Sequence, residues 1–336
     1  MSAKHSNIPI FIPHSACPND CVFCNQKRIA GVNRPPTPKE VDKILSEAVK
    51  NINPDVKAQA AFFGGSFTGL DEKLMKAYLE CAYKYIQNGA IDGIRLSTRP
   101  DYIDEDILSL LKQYGVTTIE LGAQSMADCV LSASKRGHTA QQTEKASRLI
   151  KQNGFELVLQ MMTGLPQDTD AGVFDTAEKI AKLEPDAVRI YPVIVIKDTE
   201  LETLYYEGFY KPQTLEEAVN ICSELILFFE DKGIKVIRVG LYADIPLENS
   251  VVAGPFHPAF GELCEARNFL KNIKSNMPNS AEGKSIVIYT PKNCTAKTVG
   301  HKRENIKIIM DMYKLKDIRV KEDETLKDRE IRIAVI

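Results

Sequence analysis

The 336-residue sequence predicts an α/β protein: a parallel sheet built from strand–helix units, followed by a small α/β extension. Three observations carry that prediction. Short apolar runs alternate with longer amphipathic stretches as far as residue 245, the pattern of repeated strand–helix units. Capping residues and glycines stand where those helices should begin and end. Beyond residue 245 the rhythm changes, which divides the chain into 1–245 and 246–336.

The strand-like runs are Ile8–Ile12, Ala60–Phe63, Gly93–Ser97, Thr118–Leu121, Leu157–Met161 and Ala187–Ile194. Between them lie helix-like stretches at Pro38–Val49, Asp71–Gln87, Asp104–Tyr114, Ala140–Gln152 and Ala171–Leu183, with Leu215–Asp231 after them. Thr37 before Pro38, Asp104 before Glu105, and Thr214 before Leu215 supply N-cap oxygens for otherwise orphaned N–H groups. Gly115, Gly154 and Gly233 fall where a helix exits through a left-handed residue. Six strand–helix units in series require right-handed crossovers, in a partial (β/α) barrel or a doubly wound sheet. Either places chemistry beyond the C-terminal strand ends. The extension follows a Pro- and Gly-rich loop, Ile245–Phe260. It reads as helix Gly261–Ile273, strand Ser285–Tyr289, helix Arg303–Tyr313, and strand-like segments Asp317–Val320 and Glu330–Ile336.

Composition excludes several classes. With 43 Lys+Arg against 45 Asp+Glu, net charge is −2, so no whole-molecule field draws the chain to nucleic acid or membrane. The balance is uneven, however. Residues 281–336 hold 13 Lys+Arg against 9 Asp+Glu, net +4, and the remainder is −6; a solvated surface or an RNA contact would each explain it. No apolar run reaches the ~18–20 residues of a spanning helix, and the N-terminus lacks a signal-peptide core. The expected compartment is the cytoplasm.

Three of the eight cysteines, Cys17, Cys21 and Cys24, form C-x3-C-x2-C directly after the first strand. Three thiolates from one loop can hold three corners of a [4Fe–4S] cube and leave its fourth iron open to a ligand. Zinc bound by the same sulfurs and His14, or unliganded core thiols, are the competing readings. Cys81, Cys129, Cys222, Cys264 and Cys294 show no metal spacing. Cys81 and Cys222 lie on apolar helix faces as small core residues, and Cys129 follows Gln124-Ser125 as a candidate second thiol.

With Phe23 before its last cysteine, this motif resembles that of the radical S-adenosylmethionine (SAM) enzymes. The resemblance implies a partial (β/α)6 radical SAM barrel with a small C-terminal α/β extension, the cluster loop following its first strand. It also implies two cofactors, a [4Fe–4S] cluster and S-adenosyl-L-methionine. Gly64, Gly65 and Ser66 then correspond to the glycine motif that binds the SAM amino group, where missing side chains let backbone approach a ligand. Further stretches resemble the radical SAM core of the elongator catalytic subunit and related bacterial proteins. They are Thr98-Arg99-Pro100-Asp101, Glu120–Ser125, Lys135–Thr139, Met161–Pro166 and Tyr191–Thr199. The oxygen-independent coproporphyrinogen oxidases share several of these. Matching to them puts Gln124 and Arg136 at SAM-contacting positions, and Ser97 and Gln160 where that family has acidic contacts. Arg99 is read as a ligand contact or a strand-end ion pair, His138 as a loop histidine before a base, and Tyr191 as a lumen-facing phenol or an ordinary strand exit.

The resemblance implies an enzyme in which the reduced cluster cleaves SAM to a 5′-deoxyadenosyl radical that abstracts hydrogen from substrate. The substrate expected first is tRNA, with Lys297, His301, Lys302 and Arg303 as phosphate contacts. A small molecule or tetrapyrrole, as in the coproporphyrinogen branch, is the second expectation. A non-catalytic cluster or haem carrier is the third. The elongator subunit's acetyltransferase domain has no counterpart in 246–336, so that segment is expected to act as a lid or to bind substrate. A reductase, flavodoxin or ferredoxin is the implied electron donor, and no membrane partner is expected. No residue is singled out as catalytic.

Overall fold

The computed structural model describes residues 5–13, 17, 21–25, 34–53, 55–242 and 245–336. His14, the fourth ligand of the zinc reading, lies outside the described residues. In chain order the elements to residue 163 are β1 (His5–Ile12), α1 (Pro38–Val49), β2 (Lys57–Gly64), α2 (Glu72–Gln87), β3 (Gly93–Thr98), α3 (Glu105–Gln113), β4 (Val116–Gln124), α4 (Asp128–Ala133), α5 (Ala140–Gln152) and β5 (Glu156–Thr163). There follow α6 (Asp170–Ala181), β6 (Ala187–Pro192), β7 (Val195–Ile196), α7 (Glu200–Tyr206), α8 (Leu215–Asp231) and β8 (Lys235–Val239).

Local chemistry sets these boundaries. Thr37 and Glu40 close a capping box over the first turn of α1, with Pro38 opening the helix. Thr139 and Gln142 repeat the device on α5, and Thr214 and Glu217 exchange the same bonds before α8. Gly115, Gly154 and Gly233 adopt φ of +72°, +81° and +71°, the left-handed exit expected of them.

Strands β1, β2, β3, β4, β5, β6 and β8 form one sheet in that order, every neighbouring pair parallel. A doubly wound sheet reverses its strand order at a switch point; this one never does, so the arrangement is the open, partial barrel. The seventh strand, β8, is an edge strand absent from the six that the sequence predicts. The run Ala187–Ile194 also divides, into β6 and the short β7, which pairs antiparallel with β9 (Val251–Ala253).

Alternation along the strands separates two faces. Ile94, Leu96, Ile119, Leu121, Leu157, Leu159, Val188 and Ile190 are all fully buried, forming the apolar face. Arg95, Glu120 and Arg189 stand between them, and Gln59, Thr118 and Gln160 add further polar groups, with Val158 an apolar exception on β5. Register places Ser97 opposite Glu120 and Gln160 opposite Arg189. A closed eight-stranded barrel fills its interior with apolar layers. The inward face here instead carries hydrogen-bonding groups.

The chain separates into two units, 1–213 with 229–255 and 214–228 with 256–336. The second contains α10 (Phe260–Ser275), β10 (Ser285–Thr290), α11 (Thr295–Val299), α12 (Glu304–Tyr313), β11 (Asp317–Glu322) and β12 (Arg332–Val335), after α9 (Ile245–Glu248) in the first. Its sheet runs β11-β10-β12, with β11 parallel and β12 antiparallel to β10. Phe269, Ile273, Ile286, Ile288, Ile306 and Ile309 make its core. Buried Asn305 donates to the Ala266 and Thr298 carbonyls, joining α10, α11 and α12. Cys222 and Cys264 are both fully buried there, and the contact between their thiols, with burial, pushes Cys264 far above the usual thiol range.

Candidate active site

Several strand exits converge on one corner of the sheet. Gly64 closes β2 with φ of +109°, and the Gly65 N–H donates to the Ile12 carbonyl at 2.7 Å, tying the exits of β1 and β2 together. Ser66 follows. Its hydroxyl is shared with Thr98 at 2.8 Å and accepts the Arg99 N–H at 3.2 Å, while its own N–H donates to the Cys17 sulfur. The Ser66 side chain therefore braces the exit of β3, and its backbone faces the cysteine loop.

Gln124 ends β4 in the left-handed region, φ +64°, which costs a non-glycine residue about 1 kcal/mol or more. Two residues before it, a Cβ on Gly122 would stand 2.9 Å from Gln124 Nε2 and 3.1 Å from Arg136 Nη2. Gly122 thus leaves room for both side chains at one point. Arg136 Nη2 donates to the Gly122 carbonyl at 2.7 Å, and Nη1 reaches the Cys21 sulfur at 3.4 Å. Arg99 is 3% exposed and holds Asp101 through two bonds of 2.9 Å, the ion pair read as one of its alternatives.

These contacts bring Cys17, Cys21, Ser66, Arg99, Gln124 and Arg136 into one neighbourhood. Burial pushes the Cys17 thiol up; the Ser66 N–H and the Arg136 and Arg99 guanidiniums oppose this, and Cys21 adds to it. Cys24 lies half-buried in the same loop, its N–H bonded to the Cys21 carbonyl at 3.0 Å. The loop rests on an apolar layer of Val22, Phe23, Val130, Leu165, Val193 and Leu201. Ser97 and Gln160 lie on the inward face of the sheet, Gln160 paired in register with Gly122 and Ser97 one residue before Thr98.

Among the described residues, no three His, Cys, Asp or Glu side chains are gathered as a closed metal-ligand set. The corner nonetheless suits an anionic, thiolate-ligated group. Two guanidiniums favour charge on the sulfurs. Two buried polar atoms, Arg99 Nη1 and Gln124 Oε1, have no hydrogen-bond partner, and such atoms carry a desolvation cost until a ligand meets them.

Sequence reasoning misses the ion-pair network on the inward face. Glu120 is fully buried and receives Arg95 at 2.8 Å, Arg189 through bonds of 2.8 and 2.9 Å, and Gln160 Nε2 at 2.9 Å. Gln59 accepts from Arg95 at 3.0 Å, so one network links β2 through β6. Burial alone would raise the Glu120 carboxyl, but Arg189 and Arg95 more than offset it and hold it below the usual range. Tyr191 stands half-buried beside Arg189, its phenol pushed up by burial.

His138 is buried, with Nε2 on the Ala123 carbonyl at 3.3 Å. Burial first, then Arg136 and Arg99, lower its pKa to about 4. A neutral loop histidine is the result. The unfolded chain binds a proton near pH 6.5 that the folded one refuses until about pH 4. The stability this group contributes is whole above pH 6.5 and declines as pH falls toward 4, by about 3 kcal/mol at most. Asp168, raised to about 6 chiefly by burial, acts in the opposite sense over part of that window. The difference between wild type and His138→Gln isolates the histidine. Urea midpoints should converge as pH drops from 7 to 4.5, and a constant gap would refute the assignment.

A model of the radical SAM superfamily matches residues 11–180, half of the chain. The chain belongs to the radical SAM superfamily. A model of the radical SAM C-terminal domain matches residues 185–272. The protein is therefore an enzyme, and a [4Fe–4S] cluster and SAM are its cofactors. Over 131 residues it is 37% identical to the tRNA uridine(34) acetyltransferase of Methanocaldococcus jannaschii, covering 38% of this chain and 24% of that protein. Over 242 residues it is 29% identical to Elongator complex protein 3 of Homo sapiens, covering 66% of this chain and 44% of that one. The solved Elp3 of the archaeon Methanocaldococcus infernus shares its fold at a TM-score of 0.64 and 22% identity, covering 82% of this chain and 64% of that one. The radical SAM chain spans less than half the length of these two curated relatives. Among the described residues no helix is long and apolar enough to cross a membrane.

Proposed function

We propose that this radical SAM enzyme modifies tRNA. The observation that carries the reading is its 37% identity, within 131 residues, to a protein named for acetyl transfer to tRNA uridine. Cys17, Cys21 and Cys24 would hold the cluster, with the Arg136 guanidinium donating to the Cys21 sulfur. Gly64, Gly65, Ser66, Arg99, Gln124 and Arg136 would hold SAM, Arg99 Nη1 and Gln124 Oε1 being the unpartnered groups that meet it. Ser97 and Gln160, on the inward face, complete the set assigned to SAM. When bound, the cluster and SAM supply one-electron cleavage of the sulfonium and hydrogen-atom abstraction.

The remaining work belongs to the chain. Arg136 and Ser66 fix the cysteine loop against the exits of β2 and β4. Glu120 keeps Arg95 and Arg189 immobile on the inward face, so the polar lumen is preorganised when substrate enters. Buried Arg99 and His138 leave little space for water behind the corner. We assign residues 1–245 to the radical SAM core and 246–336 to substrate binding or closure. His301, Lys302 and Arg303 are exposed, and Lys297 is half-buried close by in sequence, a cationic stretch suited to RNA phosphates. A reducing cytoplasm and a flavodoxin- or ferredoxin-type donor complete the reading.

Bulk tRNA should stimulate 5′-deoxyadenosine release severalfold, where tetrapyrroles and small metabolites do not. Lys302→Ala with Arg303→Ala should flatten the log–log salt dependence of tRNA binding by about 1 to 2. Stimulation by a tetrapyrrole alone would overturn the substrate assignment.

A further inference from the structure

A cavity of about 490 Å³ lies between the β5–α6 turn and the segment after α7, and its lining shares Leu165 with the apolar layer under the cysteine loop. Its volume is within the range of about 300–1,000 Å³ that small-molecule sites occupy. Four of its lining side chains offer contacts to a ligand. Asp168 Oδ1 accepts the Thr169 N–H at 2.9 Å, but Oδ2 is buried with no partner. Gln213 accepts the Thr163 hydroxyl through Oε1 at 3.1 Å, leaving its Nε2 free to donate. Phe209 lines the cavity yet is 79% exposed, so its ring stands open to stacking. Lys211 is exposed at the cavity rim.

The backbone holds this arrangement at a cost. Gln167 sits at φ +63°, so the turn presents Asp168 through a left-handed residue. A Cβ on Gly172 would stand 2.6 Å from Asp168 Oδ1, and one on Gly164 would stand 2.8 Å from Gln213 Oε1. Two glycines thus make way for the two polar side chains. Tyr210 donates to the Gly164 carbonyl at 2.6 Å and fixes the turn from the other side. A buried carboxylate oxygen without a donor destabilises the fold, and the cost is recovered when a ligand donates to it.

We propose that this cavity binds a guanine nucleotide, the base stacked on Phe209 and its N1–H and N2–H₂ edge donating to Asp168. Guanine presents two adjacent donors, which suits a carboxylate. Gln213 Nε2 donates to an acceptor on the base, and Lys211 meets the phosphate. The proposal rests on the tRNA reading for one of two sources: an unpaired nucleotide of RNA, or a free nucleotide.

Calorimetry on the intact protein with GMP, AMP, CMP and UMP tests it, alongside a short oligonucleotide with a single unpaired G. GMP should bind saturably and at least tenfold more tightly than UMP. Phe209→Ala should weaken GMP about tenfold, as loss of a stacking partner does. Asp168→Asn should weaken GMP by a similar factor and move preference toward AMP, because an amide pairs with adenine. It should not lower the thermal midpoint, so the loss cannot be ascribed to unfolding. Tighter binding of the oligonucleotide than of GMP assigns the site to RNA; the reverse assigns it to free nucleotide. Absence of saturable binding, or binding untouched by both substitutions, overturns the inference. If tRNA stimulates SAM cleavage while GMP and the G-containing oligonucleotide ignore Asp168 and Phe209, this site fails and the tRNA reading stands. Nucleotide binding that obeys both substitutions without tRNA stimulation upholds the site and sinks the tRNA reading.

Discussion

Replacing Glu120 by glutamine should lower the unfolding free energy by about 3–5 kcal/mol, the cost of breaking a buried ion pair from one side. Glu120 is the only acid bonded to both Arg95 and Arg189 among the described residues, and all three lie on the inward face. With the charge removed, two guanidiniums face one another across β4 with one amide oxygen between them. Arg95 keeps Gln59 and a longer contact to Glu156 at 3.4 Å, so it loses less than Arg189 does. Urea unfolding with an unchanged m-value would show the loss as a shifted midpoint. A loss below about 1 kcal/mol would mean that water solvates these arginines, as at an exposed pair.

Substituting Cys17, Cys21 and Cys24 together by alanine should abolish iron and sulfide binding, leaving the fold standing. Cys17, Cys21 and Cys24 are the proposed cluster ligands, and all three follow β1 in the chain. Only Cys21 among them is buried, and its removal takes away a small side chain from an apolar layer that Val22, Phe23, Val130 and Leu165 retain. Core truncations of this size cost about 1–2 kcal/mol, which a domain of this size survives. After anaerobic reconstitution, wild type should hold about four irons per chain and the variant a background amount. Equal iron in both would move the cluster elsewhere.

How much of this is legible in the sequence depends on how local each signal is. Helix α1 has its observed bounds written in the sequence because Thr37, Pro38 and Glu40 state its start within four residues. Strand β8 escapes notice because it is a half-exposed edge, where Val236, Ile237 and Arg238 show no clean alternation. The cysteine motif and Gly64-Gly65 are visible because their chemistry sits in contiguous residues. The Glu120 network is not, since its arginines lie 25 and 69 positions away. A lone Glu in an apolar run is nonetheless a signal, because a charge in a buried strand requires a partner. Arg99 and Gln124 are named from resemblance; only the folded arrangement leaves each with an unpartnered atom. The Asp168 cavity leaves no trace in the sequence, because its parts come from the turn after β5, the start of α6 and the segment beyond α7.

The central claim, that the cysteine corner supports SAM cleavage, is tested most directly by measuring 5′-deoxyadenosine. The anaerobically reconstituted chain is given SAM and dithionite, with and without tRNA, beside the triple cysteine variant. The account predicts at least one equivalent per chain from wild type, more with tRNA, and none from the variant. A wild-type chain that carries its full iron yet releases no 5′-deoxyadenosine, or a colourless one holding a single zinc, would contradict it.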